Sequence, residues 1–179
     1  MRDGHDSRRT AGLHLGLAGP QSPLALNGQR WAVVTDAVMG GVSQATLTTE
    51  LVDGVPALRL RGRVRLEHNG GFVQMAIDLA TAGAAYDASA WTGLELCVRG
   101  NGEAYGVHLR TTDLTAPWQS YRHGFTAGPD WTTLRLPFGD FTPHRTSTPL
   151  ALTRLRRLGL VAIGRAFDAD LTLRHLALY

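Results

Sequence analysis

The sequence contains no lysine, a single cysteine and no long apolar run, and each shortage narrows the possible functions. All 18 basic side chains are arginine, so the isoelectric point of about 9.6 overstates a net charge of only +3. The one cysteine, Cys97, excludes an intramolecular disulfide and provides no thiolate set for zinc. No apolar stretch approaches the roughly 20 residues of a membrane-spanning helix. We therefore expect a soluble globular protein, whose cysteine content fits a reducing compartment without requiring one.

The charge and the length favour one domain without a nucleic-acid interface. A net charge of +3 is mild, and no clustered basic module of a nucleic-acid-binding protein is present. A chain of 179 residues is long enough for one domain with a two-layer core. No internal repeat or low-complexity segment divides it. We predict a single domain over residues 24–179.

The first 23 residues are predicted to form a disordered tail of a cytoplasmic protein, because we find no sustained apolar periodicity in them. Arg8-Arg9 precede a short apolar stretch, an order that faintly imitates a twin-arginine export signal. His14 and two glycines interrupt that stretch, which argues against a functional signal. A residual export signal stays open as the alternative.

Apolar and polar residues alternate with a period of two along most of the chain, and this pattern predicts strands. It is clearest over 58–66, where Arg59, Arg61, Arg63 and Arg65 occupy one face. Further strands are predicted over 94–99, 105–110, 134–138, 157–163 and 171–179. The arginine row is interpreted as a solvated face, with an acidic partner as the alternative.

The connections between these segments predict an antiparallel architecture. Asp53-Gly54 and Asn101-Gly102 are the residue types that tight hairpin turns prefer, and no βαβ rhythm is present. Helix is limited to one or two turns, beginning at Thr148-Pro149 and ending by Leu155. We predict an all-β fold, a single antiparallel β-sandwich of the jelly-roll type with at most one or two short helices.

Two glycine pairs stand beside acidic residues and are interpreted as backbone devices. The first belongs to Met39-Gly40-Gly41-Val42-Ser43, and the second to Glu67-His68-Asn69-Gly70-Gly71-Phe72. Neither is a phosphate-binding loop, because the Lys-Ser/Thr pair is missing. The predicted structural motif consists of Asp36, Met39, Gly40, Gly41, Ser43, Glu67, Asn69, Gly70, Gly71 and Phe72. Close approach to a ligand or partner at the glycines is the alternative.

Together with Trp118-Gln119-Ser120-Tyr121 and the run 131–141, these motifs resemble the signature of the complex I intermediate-associated protein 30 family, over about residues 31–179. The resemblance implies a galactose-binding-like β-sandwich similar to carbohydrate-binding modules. It also implies a role in assembling NADH:ubiquinone oxidoreductase, as an assembly factor or chaperone, rather than catalysis. The expected partners are subunits or assembly intermediates of that complex.

A polar and aromatic face is the candidate binding site. His108 and Arg110 share one face of a predicted strand, and we expect Gln119, Tyr121 and His123 to lie beside them on the next strand. The predicted ligand- or partner-binding residues are Trp91, His108, Arg110, Trp118, Gln119, Tyr121 and His123. Such a face suits a protein partner, a sugar stacked on an aromatic ring, or plain solvation.

Catalytic and metal sites have weaker support in the sequence. Asp36 and Glu67 have the residue type of a glycosidase pair, but capping, turn or arginine-pairing roles are favoured. His108, His123 and His144 are a possible zinc set only if the fold brings them together, and Asp168 or Asp170 could contribute to a calcium site. We predict no catalytic residue, no metal and no cofactor. A non-catalytic protein-binding module is preferred, and a sugar-binding module is the alternative.

Overall fold

Strands build almost all of the regular structure in residues 13–179, the part of the chain that the computed structural model describes. They are β1 (Ala32–Thr35), β2 (Gln44–Val52), β3 (Val55–Val64), β4 (Phe72–Asp78), β5 (Gly93–Gly100), β6 (Ala104–Thr111), β7 (Ser120–Thr126), β8 (Thr132–Pro137), β9 (Thr142–His144), β10 (Leu155–Ile163) and β11 (Phe167–Leu178). Short turns of 3-10 helix lie at Asp36–Met39, Glu67–Asn69, Thr81–Gly83, Phe138–Asp140 and Leu152–Arg154. Within the described part, no helix is long and apolar enough to cross a membrane.

The strands form two sheets in which every pairing is antiparallel. The six-stranded sheet has the order β1-β4-β10-β6-β7-β9, and the five-stranded sheet has the order β2-β3-β11-β5-β8. Strands distant in sequence are neighbours in both sheets, as in a jelly roll. The predicted β-sandwich is confirmed. The hairpin between β2 and β3 turns at Asp53-Gly54, whose φ angles of 52° and 78° suit this dipeptide.

The alternation in each strand decides which of its faces enters the core. In β3, Leu58 and Leu60 are buried between the sheets, while Arg59 alternates with them on the outside. In β6, Val107 and Leu109 do the same. Burying such a side chain stabilises the fold by about 1.5–3 kcal/mol, and a register shift of one residue would expose the whole set. Each sheet is therefore left with one outer face that can carry function.

The packed domain begins well before the predicted boundary at residue 24. Leu15 is fully buried, and its backbone N–H donates to the Leu176 carbonyl at 2.8 Å. Its own carbonyl accepts from the indole Nε1–H of Trp31 at 2.8 Å. The tail prediction is thus corrected for residues 13–23. Residues 1–12, including Arg8-Arg9, lie outside the described residues.

The segment after β9 contains less helix than predicted. Only Leu152–Arg154 forms a helical turn, of the 3-10 type, although Thr148-Pro149 have suitable residue types for a helix start. The carbonyls of Thr148 and Pro149 instead accept hydrogen bonds from the Tyr121 hydroxyl. A tertiary contact therefore outweighs the local helix signal here.

Candidate functional site

Asp36 is completely buried where two loops meet. One carboxylate oxygen, Oδ1, accepts from the Ser43 backbone N–H at 3.0 Å. The other, Oδ2, accepts from the Ser43 hydroxyl at 2.5 Å and from the Gly71 N–H at 2.6 Å. Ser43 precedes β2 and Gly71 precedes β4, so this Asp36 cluster (Asp36, Ser43 and Gly71) fixes two strand entrances to each other.

The two glycine pairs make room for this carboxylate and for its backbone donors. A Cβ atom on Gly41 would stand only 2.7 Å from the Asp36 Cβ, which no folded protein tolerates without movement. Gly40 and Gly71 have φ angles of 83° and 128°, in the region that favours glycine. The Asp36 carboxylate therefore excludes a side chain at Gly41 and Gly70, while the positive φ angles favour glycine at Gly40 and Gly71.

The hydrogen bonds of the cluster keep Asp36 ionised. Burial by itself would raise the pKa of this carboxyl, but bonds from the Ser43 hydroxyl and from the Gly71, Ser43 and Phe72 amides outweigh it and hold the pKa below its usual range. A general acid needs a pKa near the operating pH and contact with the substrate, and the buried Asp36 has neither. The cluster is a structural element.

The other members of the predicted motif lie around this cluster. Glu67 forms an exposed ion pair with Arg65 at 2.6 Å, so it does not pair with the buried Asp36. The Nδ1 atom of His68 lies 3.1 Å from the Gly40 carbonyl oxygen and joins the two glycine loops at the surface. Three further members are Met39, which is half exposed, Asn69, which has φ 57°, and Phe72, which begins β4.

The outer face of the six-stranded sheet is the candidate binding surface, and the strand register arranges its residues in cross-strand rows. The first row contains Gln74, Val161, Gly106 and Gly124; the second contains Ala76, Gly159, His108, Arg122 and Thr142; the third contains Asp78, Arg157 and Arg110. Ser120 and His144 pair beside the third row. The first row thus contains no charged side chain, whereas the second and third rows carry basic side chains.

Tyr121 and His123 do not lie on this face, which corrects the sequence prediction. Tyr121 pairs with Leu109 and His123 pairs with Val107, and both partners point into the core. Because directly opposed residues of an antiparallel pair project to the same side, Tyr121 and His123 project inward as well. Tyr121 is fully buried.

Arg122 takes the place on the outer face that was predicted for Tyr121 and His123. It lies opposite His108 in the β6–β7 pair. The prediction missed it because the connector between the two strands does not fix their register. The sequence does contain a signal for this. Tyr121 and Phe125 are aromatic residues separated by an even number of positions, so they project to the same side of β7 and indicate its buried side.

His108 is a neutral, mostly enclosed side chain on this face. Its ring lies over Gly106, with Nε2 3.5 Å from the place that a Cβ atom of Gly106 would occupy. Burial is the largest cause, and the nearby Arg122 and His144 add to it, in lowering the pKa of His108 to about 3. Within residues 13–179, no hydrogen bond joins its ring to another group. The imidazole therefore keeps one N–H donor and one acceptor for a ligand.

Arg110 and Gln119 hold a loop rather than facing solvent directly. One guanidinium nitrogen of Arg110 donates to the carbonyls of Ala116, Pro117 and Gln119, at 2.9, 3.1 and 2.6 Å. The Gln119 Oε1 accepts from the Ala116 N–H at 3.0 Å. These contacts fix the loop before β7, from which Trp118 projects with 55% of its surface exposed.

The remaining predicted positions do not assemble into a second site. Trp91 lies in the loop before β5 of the five-stranded sheet, and its side chain packs against the core. The His123 ring packs against the Phe141 ring, with centroids 5.5 Å apart. In the part of the chain that the structure describes, no group of three histidine, cysteine or acidic side chains has the arrangement of a metal site.

The outer face of the five-stranded sheet carries the arginine row, and acids on the same face neutralise much of it. Arg59 forms a bidentate ion pair with Asp170, through contacts of 2.9 and 2.8 Å, and also meets Glu50 at 3.4 Å. Arg63 faces Asp168 at 3.7 Å. This arginine row is therefore largely satisfied within the fold.

Comparisons with solved structures support the architecture. The family 11 carbohydrate-binding module from Clostridium thermocellum, solved in complex with a β-1,3-1,4-mixed-linked tetrasaccharide, is similar with a TM-score of 0.69 and 12% identity, over 94% of this chain and 95% of that one. A family 30 carbohydrate-binding module is similar with a TM-score of 0.63 and 14% identity, over 95% and 89% of the two chains. At such low identity the similarity shows the fold alone.

The sequence comparisons identify the family. A search of curated proteins finds no match to this chain. The family described as Complex I intermediate-associated protein 30 matches over residues 21–173, most of the chain. The chain belongs to the Complex I intermediate-associated protein 30 family.

Proposed function

We propose that this protein is a non-catalytic, protein-binding β-sandwich that acts as an assembly factor or chaperone for respiratory complex I, NADH:ubiquinone oxidoreductase. Family membership over residues 21–173 supports the complex I role. We also propose a cytoplasmic location, with which the free, buried thiol of Cys97 is compatible.

The observation that carries the proposal of binding rather than catalysis is the enclosure of Asp36. Asp36 and Glu67 beside the glycine motifs have the residue type of a glycosidase pair, yet the oxygens of the Asp36 carboxylate are occupied by internal donors. Its neighbour Glu67 is bound to Arg65 at the surface. What is left for function is the outer face of the six-stranded sheet, which has the basic character of a surface that recognises another molecule.

A carbohydrate-binding role is the second candidate, favoured by one observation. Trp118 is exposed on the loop before β7, which hydrogen bonds from Arg110 hold in place, and an exposed indole can stack on a sugar ring. The strands of the outer face itself supply no tyrosine or tryptophan among the residues of the three rows, so a sugar would rest on Trp118 alone. A sugar platform of one ring is smaller than a protein interface, and we therefore rank this function second.

Affinity capture from a native lysate of the source cells, followed by mass spectrometry, tests the proposal. We expect subunits or assembly intermediates of complex I to be enriched over a control in which the bait is unfolded. In parallel, the protein is titrated with soluble mixed-linkage β-glucan. Glucan binding that depends on Trp118, together with no enrichment of complex I subunits, would replace the first function by the second.

A further inference from the structure

The outer face of the six-stranded sheet carries arginines that no acid of the described residues neutralises. On the five-stranded sheet, acids of the same face meet Arg59 and Arg63, whereas Arg61 has no carboxylate partner among the described residues. On the six-stranded sheet, Asp78 is the one acid of the three rows, and it is already paired with Arg157 at 3.1 Å. Among residues 13–179, no carboxylate pairs with Arg110 or Arg122. This face therefore carries positive charge that the fold itself leaves unbalanced.

Neighbouring arginines strengthen the positive potential of this face. Arg156 and Arg157 add to burial in lowering the pKa of Arg110, and Arg145 adds to burial in lowering that of Arg122. Both guanidinium groups stay charged at any physiological pH, because the pKa of arginine is so high. A fold that brings cations together in a half-buried position gains energy when an anion binds between them.

Arg122 and His108 are placed to act on one anionic group. They are directly opposed across β6 and β7, a position that puts side chains of an antiparallel pair about 5 Å apart at Cβ. The Nε–H of Arg122 donates to the Ser120 hydroxyl at 2.8 Å, which orients the guanidinium and leaves its terminal nitrogens available. The neutral His108 ring has a single N–H to offer. A carboxylate can accept from both residues at once.

The row beside these two residues has no side chain at its β6 and β7 positions. Gly106 and Gly124 are directly opposed, and a Cβ atom on either would approach no atom of the protein closer than 3.5 Å. The His108 ring lies over Gly106, whereas Gly124 is exposed, so a main chain can come close to the sheet at Gly124. The face thus combines an open backbone position with basic residues beside it.

We infer that the outer face of the six-stranded sheet binds an acidic, extended protein segment, whose carboxylates pair with Arg122 and the His108 N–H while its backbone lies over Gly124. The inference rests on the proposed protein-binding function and adds the chemistry of the partner to it. The arginines of this face favour a partner with carboxylates, because a planar guanidinium group can donate two parallel hydrogen bonds to one carboxylate.

The test uses the whole chain and a fluorescein-labelled peptide of alternating glutamate and serine, with a glutamine-serine peptide as the neutral control. Fluorescence anisotropy at low salt should show binding of the acidic peptide alone. Arg122→Gln should weaken it by about tenfold, as for a central charged contact. Gly124→Leu should weaken peptide binding to a similar extent, because the leucine side chain would occupy the space above the sheet. Arg63→Gln and Gly128→Leu are the matched controls, one on the other sheet and one in open space, and should bind as the parent does. Thermal melting checks that all four variants fold.

The inference is overturned if the neutral peptide binds equally, if Arg63→Gln weakens binding as much as Arg122→Gln, or if no acidic peptide binds. If Arg122→Gln leaves the enrichment of complex I subunits unchanged and the acidic peptide does not bind, the inferred binding surface is refuted and the proposed function is retained. If the peptide binds in an Arg122-dependent way but complex I subunits are not enriched, the proposed function is refuted and the inferred binding surface is retained.

Discussion

The Asp36 carboxylate occupies the space into which a side chain of Gly70 would project: its Oδ2 atom lies 2.5 Å from the position of a Cβ atom on that glycine. Gly70 has a φ angle of −75°, which any residue can adopt. Its lack of a side chain is therefore required by the neighbouring carboxylate and not by the local backbone. The second glycine pair of the sequence is, in this respect, a part of the Asp36 site.

Gly70→Ala should destabilise the protein by about 3 kcal/mol, the upper end of the range for overpacking a core, because the new methyl group and the carboxylate cannot share that space. Urea denaturation measures the difference. Gly128→Ala is the matched control, since a Cβ atom there meets nothing within 4 Å. Equal stability of the two variants would show that the Asp36 carboxylate moves aside at little cost.

Asp36→Asn should lower the free energy of unfolding at pH 7 by about 3 kcal/mol, because an amide group cannot accept all the hydrogen bonds that the carboxylate accepts and would direct an N–H at another donor. The pKa of Asp36 is lower in the folded state than its ordinary 3.8, so its contribution is fully present above that value and is lost as the pH falls through the folded-state pKa. The stability gap between parent and variant should therefore narrow in strong acid. A gap that stayed constant from pH 7 to pH 2 would contradict this account.

Leu15→Ala should cost about 2–4 kcal/mol, as for other fully buried leucines, although the residue lies far before the main strands in sequence. Leu26→Ala is the control, because 61% of the Leu26 surface is exposed. Chemical denaturation of both variants gives the comparison. Should the Leu15 variant be as stable as the Leu26 variant, the N-terminal segment does not contribute to the core as described.

Tyr121→Phe and Tyr121→Ala separate two roles of a buried tyrosine. The phenylalanine variant loses hydrogen bonds from the hydroxyl to the Thr148 and Pro149 carbonyls and should lose about 1 kcal/mol of stability. The alanine variant also leaves a cavity and should lose about 3–5 kcal/mol. Thermal melting of both is sufficient. If the alanine variant melted like the parent, the result would contradict the buried position of Tyr121 and favour the outer position that the sequence predicts.

The fold could be predicted from the sequence because period-two alternation is a strong signal over segments such as 58–66, and the structure forms β3 there. The same signal is present in a shorter form near the N-terminus. Leu13, Leu15 and Leu17 alternate with small or polar residues, and all three pack on the core. His14 and the glycines made this short strand-like segment resemble an interrupted export signal.

The candidate site could be predicted only in part, because it depends on register. Alternation within one strand is sufficient to place His108 and Arg110 on one face of β6, where the structure has them. Placing Arg122 beside His108 requires the pairing of two strands, and the intervening loop leaves the register undetermined. The role of Arg110 depends on a loop conformation that alternation does not encode.

The most direct test of the proposed role is quantitative capture of complex I subunits with the parent protein, Arg122→Glu and Arg63→Glu as baits. Charge reversal at Arg122 places an acid at the centre of the basic face, whereas reversal at Arg63 alters an exposed ion pair on the other sheet. We predict that the parent and Arg63→Glu enrich complex I subunits to the same extent and that Arg122→Glu enriches at least about tenfold less. Equal enrichment by all three baits, or enrichment by none, would contradict the account.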